Sequence, residues 1–142
     1  MAILSIDTNV LIALWNREAS APRITASLRK LQNTHVFVVC SIVYAELRAH
    51  PNITQSTLEA TLARMQIRHD PGLPGAMFEQ VAERFAQYAR YRRNAAMNGA
   101  SEPKRLLADF LIAGHALHVA ADLMTLDVNR YRTHYPELTL ID

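Results

Sequence analysis

Two short apolar runs that each stop at an aspartate constrain the fold of this chain most. Ala2–Ile6 reads AILSI and precedes Asp7, and the run DLMTL near the other end precedes Asp127. Short apolar runs of this kind are typical of strands that are buried on both faces of a parallel sheet. An unpaired carboxylate is costly to bury, so each aspartate must reach water at a strand end or meet a cation.

The remaining chain predicts helices that alternate with further strands. Additional strands are expected at Val36–Cys40 and Leu138–Ile141, and the segment from His69 to Gly75, HDPGLPG, is typical of a turn. Helices are expected at Thr8–Trp15, from Pro22 to about Gln32, after a Ser41 cap, at Thr54–Met65, from Gly75 to about Ala96, and from Pro103 onward through an apolar segment. This alternation predicts an α/β sandwich with a parallel central sheet.

Length and composition predict one globular domain spanning residues 1–142. Hydrophobic residues make up 50% of the chain and charged residues 20%, which excludes wholesale disorder. The single cysteine, Cys40, excludes an intramolecular disulfide and is expected to be a core thiol in a reducing cytoplasm. No targeting segment is apparent, and no apolar run approaches the roughly 18 residues that a membrane span needs, so a soluble cytoplasmic protein is expected.

Positive charge is concentrated in one part of the chain. The formal net charge of +2 permits a polyanionic partner without requiring one. Tyr88 and Tyr91 are interleaved with a group of basic residues, namely Arg84, Arg90, Arg92, Arg93, Lys104 and Arg105. Such a mixture can hold phosphates and stack bases, but a solvated helix face explains the same composition equally well.

Two further acids lie inside predicted helices on faces with apolar neighbours. Asp109 shares its face with Ile112 and Ala113, and Glu46 shares its face with Ile42. Both acids are therefore expected to face protein rather than bulk water.

Each acid also has a purely structural explanation. Asp7 can cap the following helix, and Glu46 can pair with an arginine such as Arg48. The structural explanation is weakest for Asp109, because only Arg105 lies one turn away on the same helix.

A shared position for the four acids has a chemical consequence. Ligands of open parallel sheets bind beyond the carboxyl ends of the strands, where Asp7 and Asp127 are predicted. Two charges 4 Å apart repel by about 4 kcal/mol at an effective dielectric constant of 20, so four carboxylates in one crevice need cations to stay ionised. Oxygen ligands alone favour Mg2+ or Mn2+, and such a site activates water for in-line displacement at phosphorus.

The ordered set of acids resembles the four acids of PIN-domain ribonucleases, and in length and detail the VapC toxins of VapBC toxin-antitoxin pairs. The similarity covers essentially the whole chain. It rests on Asp7 in SIDTNVLIAL, Glu46 in SIVYAELRAH, Asp109 in LLADFLIAGHAL and Asp127 in TLDVNRYRTHYPELTLI.

This resemblance implies a PIN-like three-layer α/β/α sandwich that cleaves RNA endonucleolytically with Mg2+ or Mn2+. It also implies a helical cognate antitoxin that blocks the site, and often a homodimer. By position, the principal metal would be held by Asp7, Glu46 and Asp109, and Asp127 would complete the cluster or hold a second metal. Thr8 and Thr125, and with less support Asn9, would orient a metal-bound water.

Substrate binding is inferred separately from the basic segment, which the resemblance does not fix in position. Arg90, Arg92 and Arg93 are expected to contact substrate phosphates. One alternative is a PIN-like module that binds nucleic acid or protein without catalysis, and another is a phosphatase with the same metal chemistry. The complete acid set favours the nuclease over the first, and the basic, aromatic helix favours it over the second.

Two smaller features allow alternative interpretations. His115 and His118 depart from the family pattern together with Gly114, but without a supporting cysteine a core role is favoured over a zinc site. Apolar residues on the early helices are candidates for a dimer or antitoxin interface, although each is more often core: Trp15, Ile24, Leu28, Tyr44 and Leu47.

Overall fold

The computed structural model describes residues 1–100 and 105–142, which form five strands and seven helices. The strands are β1 (Ala2–Ile6), β2 (His35–Cys40), β3 (Ile67–Asp70), β4 (Asp122–Met124) and β5 (Leu140–Ile141). The helices are α1 (Thr8–Trp15), α2 (Ala21–Leu31), α3 (Ser41–Ala49), α4 (Gln55–Arg64), α5 (Gly75–Met97), α6 (Leu107–His118) and α7 (Val128–Arg132).

One parallel sheet organises the molecule, with the strand order β3-β2-β1-β4-β5. β1 lies in the centre and pairs with β2 on one side and β4 on the other, with Ile6 opposite Met124. The Asp7 N–H continues this pairing by donating to the Met124 carbonyl at 2.9 Å. All strands therefore end at the same edge of the sheet, and the predicted PIN-like α/β/α sandwich is confirmed.

The central strand is apolar because helices cover both of its faces. Leu4 and Ile6 of β1 are fully buried, and Ile112 and Ala113 of α6 are buried with them. Burial of apolar surface on this scale is the main stabilising contribution to such a fold. Ser5, which points to the opposite face of the sheet, is fully buried as well, so the pattern that predicted β1 reflects a strand whose second half is buried on both faces.

Gly114 allows α5 and α6 to pack closely. A Cβ atom at this position would lie 2.3 Å from Cγ2 of Val81 on α5. A larger side chain at this position therefore requires the Val81 side chain to shift or the two helices to separate. The departure from the family pattern at Gly114 therefore has a packing explanation.

Several local predictions were wrong. β3 and α7 were not predicted, because β3 carries the polar residues RHD and α7 has only five residues. Ser41 does not cap α3 but is its first residue, with its hydroxyl 3.0 Å from His69 Nε2. The strand expected in the run DLMTL is shorter than predicted, since β4 ends at Met124; its first residue, Asp122, lies 3.2 Å from His35 Nε2. α6 begins at Leu107 among the described residues, and the predicted start at Pro103 lies outside them.

Most of the proposed interface residues belong to the core. Ile24, Leu28 and Leu47 are buried, whereas Trp15 and Tyr44 are half-buried. Within residues 1–100 and 105–142, no helix is long and apolar enough to cross a membrane.

Candidate active site

The candidate site lies at the edge of the sheet where the parallel strands end. Asp7 directly follows β1, and Asp127 follows β4 after two loop residues. Glu46 lies on α3, which follows β2, and Asp109 lies in the first turn of α6. The sheet topology therefore brings all four predicted acids to one side of the fold.

Asp7 is almost completely buried, with 3% of its surface exposed, and both of its carboxylate oxygens accept hydrogen bonds. Oδ1 accepts from the Thr8 backbone N–H at 2.8 Å, which caps α1. Oδ2 accepts from the hydroxyls of Thr125 and Tyr131, both at 2.8 Å. Asp7 is thus a helix cap as well as a buried acid, and its three donors are all neutral.

These neutral donors do not remove the cost of the charge. Burial raises the pKa of Asp7, and the nearby charge of Asp109 raises it further, whereas the hydrogen bonds from Tyr131, Thr125 and Thr8 oppose the rise. Burial and the charge of Asp7 also raise the pKa of the Tyr131 phenol, so Tyr131 remains a protonated donor. The arrangement fixes the orientation of Asp7, and no residue in the described part of the chain forms an ion pair with it.

Thr125 connects Asp7 to the loop that carries Asp127. Besides donating to Asp7, its hydroxyl accepts from the Asp127 N–H at 3.1 Å and from Nδ2 of Asn9 at 3.4 Å. Asn9 Oδ1 in turn accepts from the Leu126 N–H at 3.1 Å. Thr125 and Asn9 therefore hold the end of β4 against the start of α1.

Glu46 does not lie in the buried position that was predicted. Its side chain is exposed, because Val43 and Leu47 form the stripe of α3 that packs into the core. The Thr8 hydroxyl donates to Glu46 Oε1 at 2.7 Å. Since the Thr8 backbone N–H binds Asp7, this one residue connects two of the predicted acids.

Asp109 and Asp127 are held by Arg130, a residue that the sequence analysis did not identify. Asp109 is 8% exposed; its Oδ2 accepts from the Leu106 N–H at 3.2 Å, and its Oδ1 lies 3.5 Å from Arg130 Nη1. Asp127 Oδ2 lies 3.1 Å from Arg130 Nε, and its Oδ1 accepts from the Arg130 N–H at 3.2 Å. The guanidinium thus spans two carboxylates.

The electrostatics of Arg130 follow from this placement. Partial burial opposes the charged form, but the carboxylates of Asp109 and Asp127 outweigh it and raise the pKa of Arg130. The sequence does contain a signal for this contact: an aspartate that caps a helix at Asp127 places the residue three positions later within reach of its carboxylate.

The family relationship is decided by the match to a family model. The model of the PIN domain matches residues 4–134, which include all four acids. The chain belongs to the PIN domain family. No curated protein sequence reached a similarity that counts as a match.

Solved structures of similar fold agree with this assignment. A chain of the VapBC2 complex from Rickettsia felis, bound to a promoter DNA fragment, is 23% identical with a TM-score of 0.65, covering 98% of this chain and 97% of that chain. VapBC-1 from nontypeable Haemophilus influenzae gives 24% identity and a TM-score of 0.63, covering 99% of this chain and 97% of that chain. FitAcB from Neisseria gonorrhoeae gives 21% identity and a TM-score of 0.58, covering 98% of this chain and 96% of that chain. At these identities the likeness establishes the PIN fold.

The donor chemistry of this PIN domain fits a hard divalent cation. The four acids supply only carboxylate oxygens, the ligands that Mg2+ and Mn2+ prefer, and Asp7 and Asp109 are close enough for one charge to raise the pKa of the other. Among the described residues, no three acidic, histidine or cysteine side chains are spaced to hold a metal as they stand. The cation that contacts Asp109 and Asp127 is the guanidinium of Arg130.

The predicted phosphate-binding arginines all lie on the exposed surface of α5. Arg92 and Arg93 line a cavity of about 450 Å³ together with Arg105, Phe85 and Tyr88. Arg90 is exposed but is not among the residues that line it. The PIN domain therefore presents a cavity with both cationic and aromatic side chains, in which Arg105 was not predicted to take part.

His115 and Cys40 belong to the core of the PIN domain, as the sequence favoured. His115 is fully buried, and its Nε2 lies 3.0 Å from Oδ2 of Asp70 at the end of β3. Burial lowers the pKa of His115, although Asp70 opposes the change. Cys40 is also buried, and burial raises the pKa of its thiol.

Proposed function

We propose that this PIN domain is a Mg2+- or Mn2+-dependent endoribonuclease and the toxin of a type II toxin-antitoxin pair. PIN domains are generally nucleases, which supports a hydrolase of nucleic acids. The observation that carries the proposal is Asp7, a buried carboxylate that three neutral donors hold and that forms no ion pair within residues 1–100 and 105–142. Such a group is costly unless a positive ion or a proton joins it.

In this proposal, the metal ligands are Asp7, Glu46, Asp109 and Asp127. When bound, a divalent ion there would lower the pKa of a water molecule and stabilise negative charge on phosphate oxygens. Thr125 and Tyr131 orient the Asp7 carboxylate, and Thr8 orients Glu46 through the 2.7 Å hydrogen bond. These neutral hydroxyls preorganise the acids without adding charge to the site, which is the contribution expected of second-layer donors around a metal.

The proposed substrate is RNA, bound through its phosphates and bases. Arg92 and Arg93 would hold phosphates at the cavity beside α5, with Arg90 as a further cation on the same helix. Tyr91 is 55% exposed on this helix and offers a surface for base stacking.

A cognate antitoxin is the proposed protein partner. The structures that share this fold include VapBC and FitAB complexes, two of them with DNA fragments. By analogy, we propose that an antitoxin binds this chain and blocks the acids, that the toxin forms a homodimer, and that it acts in the cytoplasm. RNA cleavage in the absence of the antitoxin is then the activity to measure.

The decisive experiment is cleavage of a labelled, structured RNA by the purified protein with EDTA, Mg2+ or Mn2+. Asp7→Asn is the test variant, because asparagine caps a helix about as well as aspartate and should leave α1 intact. Asp122→Asn is the matched control, since it makes the same charge change at the amino end of β4. We expect metal-dependent cleavage by the wild type and Asp122→Asn, and a loss of at least about 100-fold in Asp7→Asn.

Two outcomes would contradict the proposal. Equal cleavage by wild type and Asp7→Asn would indicate a contaminating nuclease or a different site. RNA binding without cleavage by folded wild type would support the alternative of a PIN-like binding module without catalysis.

A further inference from the structure

Arg130 is placed differently from the other basic residues near the site. Its side chain reaches back from α7 and contacts two of the proposed metal ligands, Asp109 on α6 and Asp127 before α7. One guanidinium has five N–H donors in a planar fork, so it can serve two carboxylates at once. Arg130 therefore already provides a positive charge where a divalent cation would be needed.

The two carboxylates have few other neutralising contacts among the described residues. The remaining donors that the structure gives them are backbone N–H groups: Leu106 for Asp109 and Arg130 itself for Asp127. Asp109 is nearly buried, so its charge is poorly screened by solvent. A guanidinium and a divalent ion would thus compete for the same carboxylate oxygens.

The contact geometry indicates that a divalent cation can displace the Arg130 guanidinium from Asp109 and Asp127. The Arg130 Nη1 to Asp109 Oδ1 distance is 3.5 Å, which is long for a hydrogen bond, whereas Arg130 Nε lies 3.1 Å from Asp127 Oδ2 and the Arg130 side chain is 38% exposed. The Arg130–Asp127 pair is exposed on both sides, with 38% and 39% of the two side chains accessible, and such an ion pair contributes little to stability because water and salt screen it. Arg130 can therefore turn toward solvent without breaking the core.

We propose that Arg130 is a positioning residue and internal counter-ion. In the metal-free protein its guanidinium reduces the repulsion between the Asp109 and Asp127 carboxylates, and a divalent cation displaces it on binding. The inference rests on the proposed metal site. In the metal-free state Arg130 supports the fold of the acid cluster, and in the loaded state its positive charge opposes the ion. The same residue thus sets how tightly the site holds metal.

The test is binding of Mn2+ alone, measured by titration calorimetry on the full chain without RNA. Arg130→Gln removes the charge, and we expect it to bind Mn2+ about tenfold more tightly than the wild type. Arg132→Gln is the matched control, because Arg132 lies on the same short helix, is exposed and makes the same charge change. Its Mn2+ affinity is expected to stay within about twofold of the wild type.

Thermal unfolding gives a second readout. In EDTA, Arg130→Gln should unfold at a lower temperature than the wild type, and saturating Mn2+ should remove most of this difference because the ion then neutralises the acids. A residue with a merely structural role would lower the unfolding temperature equally with and without Mn2+. If Arg130→Gln does not fold without metal, Arg130→Lys, which keeps the charge but lacks the fork, is expected to bind Mn2+ about threefold more tightly.

The outcomes separate this inference from the proposed function. Mn2+ binding by the wild type with equal or weaker binding by Arg130→Gln, or by Arg130→Lys where that variant replaces it, would overturn the role of Arg130 alone. Absence of Mn2+ binding in every variant would overturn the metal site and this inference together.

Discussion

Asp7 and the pair Asp109–Asp127 carry the same charge at one edge of the sheet but are stabilised in different ways. Asp7 is held by three neutral donors, the Thr8 N–H and the hydroxyls of Thr125 and Tyr131. Asp109 and Asp127 are held by the guanidinium of Arg130. One half of the site is therefore fixed in orientation, and the other half is partly neutralised by a cation.

This difference shows what each kind of contact can and cannot do. Neutral hydrogen bonds orient a carboxylate and lower the cost of burial, but burial and the charge of Asp109 still raise the pKa of Asp7. An ion pair compensates the charge but is open to exchange with another cation. We therefore expect Asp7 to respond to hydroxyl removal and pH, and the Arg130 cluster to respond to metal and salt.

The largest expected effect on stability is that of Tyr131→Phe. Tyr131 is 1% exposed, and its hydroxyl donates to Asp7, so the substitution leaves a buried carboxylate with one donor fewer. We expect a loss of about 1–3 kcal/mol in the free energy of unfolding at pH 7, measured by urea unfolding in EDTA.

Tyr44→Phe is the matched control for this experiment. Tyr44 is half-buried, and its hydroxyl donates to the exposed Glu59 at 3.5 Å, so a change of less than about 0.5 kcal/mol is expected. Equal losses in the two variants would mean that the Tyr131 hydroxyl does not stabilise the charge of Asp7.

The second prediction concerns the stability of Asp7→Asn as a function of pH. Because the pKa of Asp7 is higher in the folded than in the unfolded protein, ionisation of Asp7 favours unfolding. The stability contributed by its protonated form is complete below the ordinary value of 3.8 and is lost as the pH rises through the raised value. Metal-free Asp7→Asn should therefore have a higher free energy of unfolding than the wild type at pH 7. This gain should be smaller than the loss expected for Tyr131→Phe.

The difference between Asp7→Asn and the wild type should shrink as the pH falls toward 3.8, and unfolding curves collected over this range in EDTA measure it. Other titrating groups are common to both proteins and cancel in the comparison. A constant difference at all pH values would show that the pKa of Asp7 is not raised by folding.

Local pattern was sufficient to predict the part of the site around Asp7. The bounds of β1 and α1 agree with the prediction to the residue, because an apolar run, a capping aspartate and a helical segment are adjacent in sequence. The donors of Asp7 are different: Thr125 and Tyr131 lie 118 and 124 positions away. Their contact depends on the pairing of β1 with β4, which no local pattern specifies.

The partly neutralised half of the site, around Arg130, was predicted less well. Asp109 was expected to face protein, and it does, but its partner Arg130 lies on a helix of five residues, too short to show a helical period. Glu46 has apolar neighbours in sequence and yet its side chain is exposed, because the stripe formed by Val43 and Leu47 determines which side of α3 packs into the core. A helical pattern predicts that a face is buried more reliably than it predicts the residues at the border of that face.

The smallest expected effect is that of salt, and it compares the two halves of the site directly. The side chains of Arg130 and Asp127 are 38% and 39% exposed, so dissolved ions reach their contact, whereas Asp7 and Tyr131 are buried. Raising NaCl from about 0.05 M to about 0.5 M shortens the screening distance roughly threefold. The destabilisation caused by Arg130→Gln should therefore shrink by up to about 0.5 kcal/mol, while that caused by Tyr131→Phe should stay the same. Urea unfolding of both variants and the wild type at the two salt concentrations measures this, and an equal salt response in both variants would contradict the division of the site into an oriented half and a partly neutralised half.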